Sequence, residues 1–210
     1  MIHEVDAALR GVIADNALRG SGVEVALEAP TKEWAARHNA PTVNAYLYDV
    51  HEDLARREVG VQGVRDQRGA VTAQRRPPRW YRLSYLVTAW TARAEDEHRL
   101  LSAVLGCLMR TETLPAELLG PALSGTGLPV PLAVAMRGDR DRPVSELWTA
   151  LGGQLKPSLD VVITAPFPLP DEDAAPVALE LEVRATSVDG TAVDAPRRAP
   201  RDGSAVAGTS

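Results

Sequence analysis

The sequence predicts an α+β fold, a single domain in which helices cover mainly one face of a mixed β-sheet. Two segments, residues 2–18 and 94–113, place apolar side chains at helical spacing. Three others, residues 41–50, 79–90 and 158–167, alternate with a period of two and predict strands. A chain of 210 residues is long enough for one sizeable core and short for two.

The first part of the chain predicts one amphipathic helix followed by strands. Apolar residues share one face over residues 2–18, and Gly20 and Gly22 favour the end of this helix. Residues 23–29 alternate as a strand, which Pro30 ends. The next elements are a short helix and a long strand, over residues 31–39 and 41–50.

The strand over residues 79–90 contains four of the nine aromatic side chains in the chain. Tyr81 and Tyr85 share one of its faces and Trp90 lies on the other, so neither face is purely polar. Such a strand needs helices on one side and a cover of helices or another protein molecule on the other. The elements predicted after it are a helix, a helical turn, an edge strand, a helix and two strands, over residues 94–113, 114–120, 128–136, 145–155, 158–167 and 177–188.

Residues 56–79 interrupt this pattern, because apolar periodicity disappears and a long Arg-rich loop is expected. The segment carries seven Arg against Glu58 and Asp66, a local charge of +5 in a chain whose net charge is -5. This reversal of sign is compatible with a phosphate-binding arm. The alternative is a solvated hairpin or loop whose arginines meet acids on a neighbouring surface. Nucleic acid is the less favoured partner, since no aromatic residue lies between Arg56 and Arg79 to stack a base.

The domain is expected to include residues 1–187. Residues 188–210 are expected to form a flexible tail, because from about Ala195 their composition is that of a disordered segment. The composition as a whole, with 45% hydrophobic and 24% charged residues, is ordinary for a soluble globular protein. No apolar run approaches the length of a membrane span, and the first residues lack the layout of a signal peptide. We therefore expect a cytoplasmic protein without a membrane partner.

No catalytic, cofactor-binding or metal site is predicted. The four histidines, His3, His38, His51 and His98, lie on different predicted elements without the spacing of metal ligands. Cys107 lies in an apolar helical run, where a buried and inert thiol is expected. The sequence thus predicts a protein that is not an enzyme and needs no cofactor. A cytoplasmic enzyme whose catalytic groups come from distant segments is the alternative.

Several stretches, in this order along the chain, carry a resemblance to a known family. The most specific are residues 43–49, residues 83–90 with Glu97 and His98 in the following helix, and residues 155–158. Together they resemble the cap, or tail terminator, proteins of extracellular contractile injection systems. These are phage-tail-like particles of the virulence-cassette and antifeeding-prophage type. The resemblance extends over about residues 2–168, and the Arg-rich loop carries no family motif.

The resemblance implies the α+β fold of phage tail-terminator proteins and no catalytic set. It further implies a homo-hexameric ring at the end of the particle remote from the baseplate. Such a ring would end polymerisation of the inner tube and join it to the sheath, so the implied partners are the inner tube protein and the sheath protein.

Two sets of residues are hypothesised to lie at these contacts. If one face of each strand meets helices, the other is available to a neighbouring subunit or to the tube. This hypothesis selects the aromatic residues Tyr46, Tyr48, Trp80 and Trp90. The alternative is that helices of the same monomer bury both faces. The second set belongs to the Arg-rich loop, which would lie on an acidic surface of the sheath or tube protein. Its arginines are Arg56, Arg57, Arg65, Arg68, Arg75, Arg76 and Arg79. Of these, Arg75, Arg76 and Arg79 are the interface candidates.

Overall fold

The structure, a computed structural model, describes residues 1–38, 40–65, 67, 71–134 and 144–170, together with the short strands given below. Its helices are α1 (Ile2–Val12), α2 (Lys32–Arg37), α3 (Ala94–Leu108), α4 (Pro121–Ser124) and α5 (Val144–Ala150). Its strands are β1 (Glu24–Ala26), β2 (Thr42–Glu52), β3 (Gln62–Arg65), β4 (Val71–Arg75), β5 (Arg79–Trp90), β6 (Leu132–Val134), β7 (Ser158–Phe167), β8 (Glu172–Asp173), β9 (Ala185–Thr186) and β10 (Ala192–Val193). A π-helical turn (Ile13–Ala17) extends α1, and two 3₁₀ turns occupy Leu54–Arg56 and Ala116–Leu118.

Five of the described strands form a mixed sheet in the order β1-β2-β5-β7-β6. β1 runs parallel to β2, and every other neighbouring pair is antiparallel. The two longest pairings join β5 to β2 on one side and to β7 on the other. The predicted α+β fold with a mixed sheet is therefore confirmed, and β6 lies at an edge, as its prolines predicted.

The core lies between one face of this sheet, which we call the first face, and the helices α1 and α3. Val5 and Leu9 of α1 and Val104 of α3 are buried against strand residues such as Leu83 and Ile163. In β5 the residues buried in this core include Leu83, Tyr85 and Val87, which share one face of the strand as the period of two predicted. On the other face, Ser84, Leu86 and Thr88 are buried as well, so both faces of the central strand are covered along much of its length.

The second face of the sheet is covered by helices at one end. Trp34 of α2 and Trp148 of α5 are buried there, and both rings contact the ring of Trp90. Helix α2 begins as predicted at Thr31, whose hydroxyl accepts a hydrogen bond from the Trp34 amide at 3.2 Å. The two short helices therefore close the β1, β2 and β5 end of this face and leave its remainder without a described helix.

The Arg-rich segment contains a hairpin, which was one of the alternatives that its sequence left open. β3 and β4 pair antiparallel, and β8 pairs with the other side of β4. The order β3-β4-β8 repeats the order β2-β5-β7 of the core sheet. The chain runs directly from β2 to β3, from β4 to β5 and from β7 to β8, so each strand of the small sheet is connected to the corresponding core strand. We call this three-stranded extension the arm.

Proline explains where the arm separates from the core sheet. Pro77 and Pro78 stand between β4 and β5, and Pro168 and Pro170 stand between β7 and β8. Proline lacks an N–H donor, so these positions interrupt the hydrogen-bond ladder. In β3, Gln62, Gly63 and Arg65 are exposed, which removes the apolar alternation by which a strand is recognised in sequence. The hairpin was therefore invisible to a reading of periodicity.

The chain divides into two compact units, residues 1–173 and 174–210. In the second unit, β9 and β10 pair antiparallel. β10 lies inside the segment predicted as a flexible tail, and most of the strand predicted over residues 177–188 lies outside the described residues. The predicted boundary at residue 187 stays a prediction.

A buried carboxylate ties the first helix to α4. Glu4 is buried and accepts hydrogen bonds from the backbone amides of Leu123, at 3.0 Å, and Ala122, at 3.4 Å. These are amides of the first turn of α4, which have no partner inside the helix. The side chain of Glu4 lies against Gly120, where an added Cβ would overlap its carboxylate end.

Replacing Gly120 by alanine is expected to lower the free energy of unfolding by roughly 2 kcal/mol, because the new methyl group forces Glu4 off the α4 amides. Urea unfolding followed by circular dichroism measures this change. Gly106→Ala is the matched control, since its Cβ would meet only Arg110, at 3.7 Å, and alanine favours the interior of α3. Equal stability of the Gly120 variant and the unmodified protein would show that Glu4 does not hold α4.

Candidate interaction surface

The structure brings the four aromatic interface candidates to one face of the sheet. Trp80 and Trp90 lie at even positions of β5, opposite to the face that carries Leu83. Tyr46 pairs with Leu86 in the β2–β5 register and so shares that second face. Tyr48 stands at a register shift in β2. Two of the four residues thus come from β2 and two from β5, at positions up to 44 residues apart in sequence.

The side chain of Tyr48 in β2 extends over β5 and reaches β7. Its hydroxyl donates a hydrogen bond of 2.8 Å to Oδ1 of Asp160 in β7, and β5 lies between β2 and β7. The phenol therefore lies across the second face near Leu86, which is paired with both Tyr46 and Asp160 and is itself buried. Tyr46 and Tyr48 are half-buried and present the rest of their rings outward. They form an amphipathic surface of the kind found at protein interfaces.

Trp90 lies in a cluster of rings at the end of this face that the short helices cover. Its ring contacts Trp34 edge-on, with 5.3 Å between centroids, and Trp148 at 6.4 Å. Its Nε1 donates to the hydroxyl of Thr88 at 2.9 Å. The Nζ of Lys156 lies 4.2 Å from the Trp90 ring centroid, within the range of a cation–π interaction. The half-buried Trp90 therefore has extensive contacts within its own chain.

Lys156 also forms a partly buried ion pair that the sequence reading missed. Its Nζ lies 2.5 Å from Oε1 of Glu97 in α3, and the same oxygen accepts from the amide of Thr91, at 3.3 Å, just after β5. The pair joins β5, α3 and the loop before β7. One signal was available, because Lys156 is one of two lysines in a chain otherwise rich in arginine. Glu97 and Lys156 also belong to two of the stretches that carry the family resemblance.

At the opposite end of the face, Trp80 lies where the arm begins. Trp80 is 9% exposed, and the guanidinium of Arg56 lies over its ring at 5.0 Å. Arg79 forms an ion pair of 2.7 Å with Glu52, to which Arg57 also lies close, at 3.8 Å. The structure thus places one aromatic candidate and one arginine candidate in a network at the base of the arm.

Arg75 and Arg76 are exposed at the end of β4 and in the connection that follows. The fold changes the charge balance around them, because β8 consists of Glu172 and Asp173 and pairs with β4. Residues 52–79 and 171–173, taken together, carry seven Arg and seven Asp or Glu, a net formal charge of zero. The excess positive charge counted along residues 56–79 is therefore reduced in part by Glu52 and Asp53, which precede the segment, and in part by Glu172 and Asp173, which strand pairing brings to β4.

Burial shifts the pKa of two titratable groups in the described residues. It raises the pKa of the Cys107 thiol, which is buried as the sequence predicted. Burial also raises the pKa of Tyr85, whose hydroxyl donates to Asp6 at 2.7 Å. Among the described residues, no group of three or more His, Cys, Asp or Glu is placed to hold a metal ion. None of the described helices is long and apolar enough to span a membrane.

Comparison with known proteins connects this architecture to one family. A family model described as the Pvc16 N-terminal domain matches residues 4–180. Among solved structures, the chain is similar to the sheath/tube terminator of the extracellular contractile injection system PVC, in its extended state, with a TM-score of 0.61 and 23% identity. It is also similar to the tube-terminating cap of the anti-feeding prophage, with a TM-score of 0.56 and 20% identity.

These two similarities extend over most of this chain and part of the other chains. They cover 90% and 87% of this chain, and 65% and 61% of the PVC terminator and the anti-feeding prophage cap. The chain therefore spans somewhat less than two thirds of the length of either protein. No curated protein sequence matches it. The structural similarity establishes a shared fold, and the family match supports the predicted resemblance to terminator and cap proteins.

Proposed function

Because the chain belongs to the Pvc16 N-terminal domain family, we propose that it is the cap, or tail terminator, of a contractile injection system. Six copies form a ring that ends polymerisation of the inner tube and links the tube to the sheath. The ring assembles in the cytoplasm, as part of a phage-tail-like particle. Its work is binding without chemistry, so it needs neither a catalytic residue nor a cofactor.

The match of residues 4–180 to this family is the observation that carries the proposal. Support comes from the fold, which the chain shares with a sheath/tube terminator and a tube-terminating cap. The second face of the sheet supplies a surface for such a role in the half-buried side chains of Tyr46 and Tyr48, while Leu86 beside them is already buried within the chain. On this proposal, Tyr46 and Tyr48 contact a neighbouring copy or the tube.

The remaining interface candidates have supporting roles in the proposal. Trp80 and Trp90 stand at the two ends of the second face and shape the surface between them. Arg75, Arg76 and Arg79 contact the sheath or tube protein from the arm. These contacts place exposed arginines on an acidic surface, so rising salt should weaken them.

The proposal predicts a six-fold species that stops tube growth. Light scattering behind a sizing column should give six times the mass of one chain, either for the protein alone or after addition of purified tube protein. Tubes grown with the protein present should be shorter by electron microscopy and carry one ring at an end. Monomers that neither bind tube ends nor change tube length would overturn the proposal.

A nucleic-acid-binding module is the competing function for the Arg-rich segment. The balance of seven Arg and seven acids around the arm removes the local positive field on which that function rests. A gel shift with random DNA, beside a pull-down with tube and sheath proteins, separates the two functions. Binding of DNA that falls steeply with salt, without capture of either protein, would favour nucleic acid.

A further inference from the structure

Exposed aliphatic side chains gather on the connection between β2 and β3, at the base of the arm. Among the described residues, Leu54 is 67% exposed, Val61 52% and Val59 99%. We call residues 54–61 the apolar connection. Most large apolar side chains of a soluble protein lie at least partly covered, so three open ones within eight residues mark a site for protein contact.

A single exposed leucine stands at the opposite end of the same strands. Leu155 is 67% exposed, in the loop of residues 151–157 between α5 and β7. We call this segment the α5–β7 loop. The α5–β7 loop leads into Ser158, which pairs with Thr88 near the end of β5. The apolar connection follows Asp53, whose backbone amide donates to the carbonyl of Trp80 near the start of β5. Eight residues of β5 separate these two points, a distance of about 26 Å.

The α5–β7 loop is held in one conformation on both sides of Leu155. Gly152 adopts a positive φ of 65°, and Gly153 lies so close to the Trp148 ring that a Cβ would clash with it. On the other side, Lys156 is fixed by Glu97 and by the face of Trp90. An exposed leucine on a rigid loop loses little conformational entropy on binding, which suits it to the centre of a contact.

We infer that the apolar connection of one copy packs against the α5–β7 loop of the next copy, with Leu155 at the centre of the contact. This inference rests on the proposed ring. A closed ring of more than two copies joins two different surfaces of each chain, whereas a patch that pairs with itself stops at a dimer. The two surfaces lie at opposite ends of one sheet, which is the arrangement needed to join copies head to tail.

The charge around the arm favours a second copy as the occupant. The apolar connection carries Arg56, Arg57 and Glu58, and the α5–β7 loop carries Lys156, so each surface has a formal charge of only +1 and neither has a strong field to select an acidic or basic partner. Permanent contacts between identical subunits are the more apolar class of protein interface. The assembled ring is therefore expected to persist at high salt.

Cross-linking tests the inference directly. A variant with Leu54→Cys and Leu155→Cys, treated with a bis-maleimide much shorter than 26 Å, is expected to give a ladder of covalent multimers up to the full ring. The strand positions next to the two cysteines of one chain are about 26 Å apart, so that reagent should not join them within a chain. Each single variant is the matched control and should stay monomeric on a denaturing gel, because Cys107 is buried. The experiment is run on the ring, with tube protein added if the ring forms only there.

The outcomes of this experiment separate the proposed contact from the proposed ring. A ladder from the double variant alone supports the inference. Dimers from the Leu54→Cys variant alone would show that copies meet arm to arm, which overturns it. A ring of full mass that gives no ladder overturns the contact and leaves the proposed function standing. If no ring forms even with tube protein, the proposed function itself fails.

A pair of charge substitutions gives a second readout in solution. Leu155→Asp should lower the ring fraction at least tenfold at equal concentration, because it places a charge at the centre of an apolar contact. Met109→Asp is the control, since Met109 at the end of α3 is 68% exposed, nearly the same as Leu155. An equal loss of ring in both variants, or in neither, would contradict the assignment.

Discussion

Replacing Trp90 by alanine is expected to lower the free energy of unfolding by about 3 kcal/mol. The substitution removes the ring that contacts both Trp34 and Trp148 and on which the ammonium group of Lys156 lies. Because these partners come from α2, α5 and the α5–β7 loop, the loss should loosen the whole covered end of the second face. Urea unfolding of the monomer, followed by circular dichroism, measures the change.

A conservative variant separates this internal role from a role in the ring. Trp90→Phe retains a ring in the cluster and should lose about 1 kcal/mol, so enough folded protein remains to assay assembly. If Trp90 also contacts a neighbouring copy, the folded Phe variant should form fewer rings than the unmodified protein. Unchanged assembly would assign Trp90 to the interior alone. A stability of Trp90→Ala within 0.5 kcal/mol of the unmodified protein, on the order of a surface change, would contradict the cluster.

Replacing Lys156 by methionine is expected to cost about 2 kcal/mol, because it leaves the carboxylate of Glu97 partly buried without its cation. The side chains of Lys156 and Glu97 are 21% and 13% exposed, so water recovers part of the loss. Methionine keeps an unbranched apolar side chain and removes the ammonium group, so both the ion pair with Glu97 and the cation–π contact with Trp90 are lost. Equilibrium urea unfolding measures the difference in free energy.

The double variant identifies the pair as the cause. Changing Glu97 to Gln in the Lys156→Met background should cost less than the sum of the two single changes, since no unpaired charge remains. Arg93→Met is the surface control. Its ion pair with Glu95 has side chains 71% and 67% exposed, and its loss should stay within about 0.5 kcal/mol. Strict additivity of the two buried changes would show that Lys156 and Glu97 do not stabilise one another.

The spacing of apolar residues is enough to predict the core of this protein. The helices α1 and α3 and the strands β2, β5 and β7 were predicted because their apolar residues repeat at 3.6 or 2 positions, a pattern that burial on one side imposes. The same pattern placed Leu83, Tyr85 and Val87 together on one face of β5. It also showed that the strands are apolar on both faces and therefore need a second cover.

Part of the candidate surface was also accessible from sequence. Tyr46, Tyr48, Trp80 and Trp90 were selected as aromatic residues on such strands, and the register places all four on one face. What covers that face could not be predicted. The rings of Trp34 and Trp148 reach Trp90 from helices that lie 56 residues before and 58 residues after it in the chain.

How charges distant in sequence combine follows from the folded chain. Residues 56–79 taken alone predict a positively charged loop, and pairing of β8 with β4 brings Glu172 and Asp173 to that segment. Lys156 meets Glu97 across 59 residues, and Tyr48 meets Asp160 across 112. Periodicity reports whether a side chain faces the core, since that depends on the local backbone. The partner that a polar or aromatic side chain finds depends on strand order and register, which only the folded chain sets.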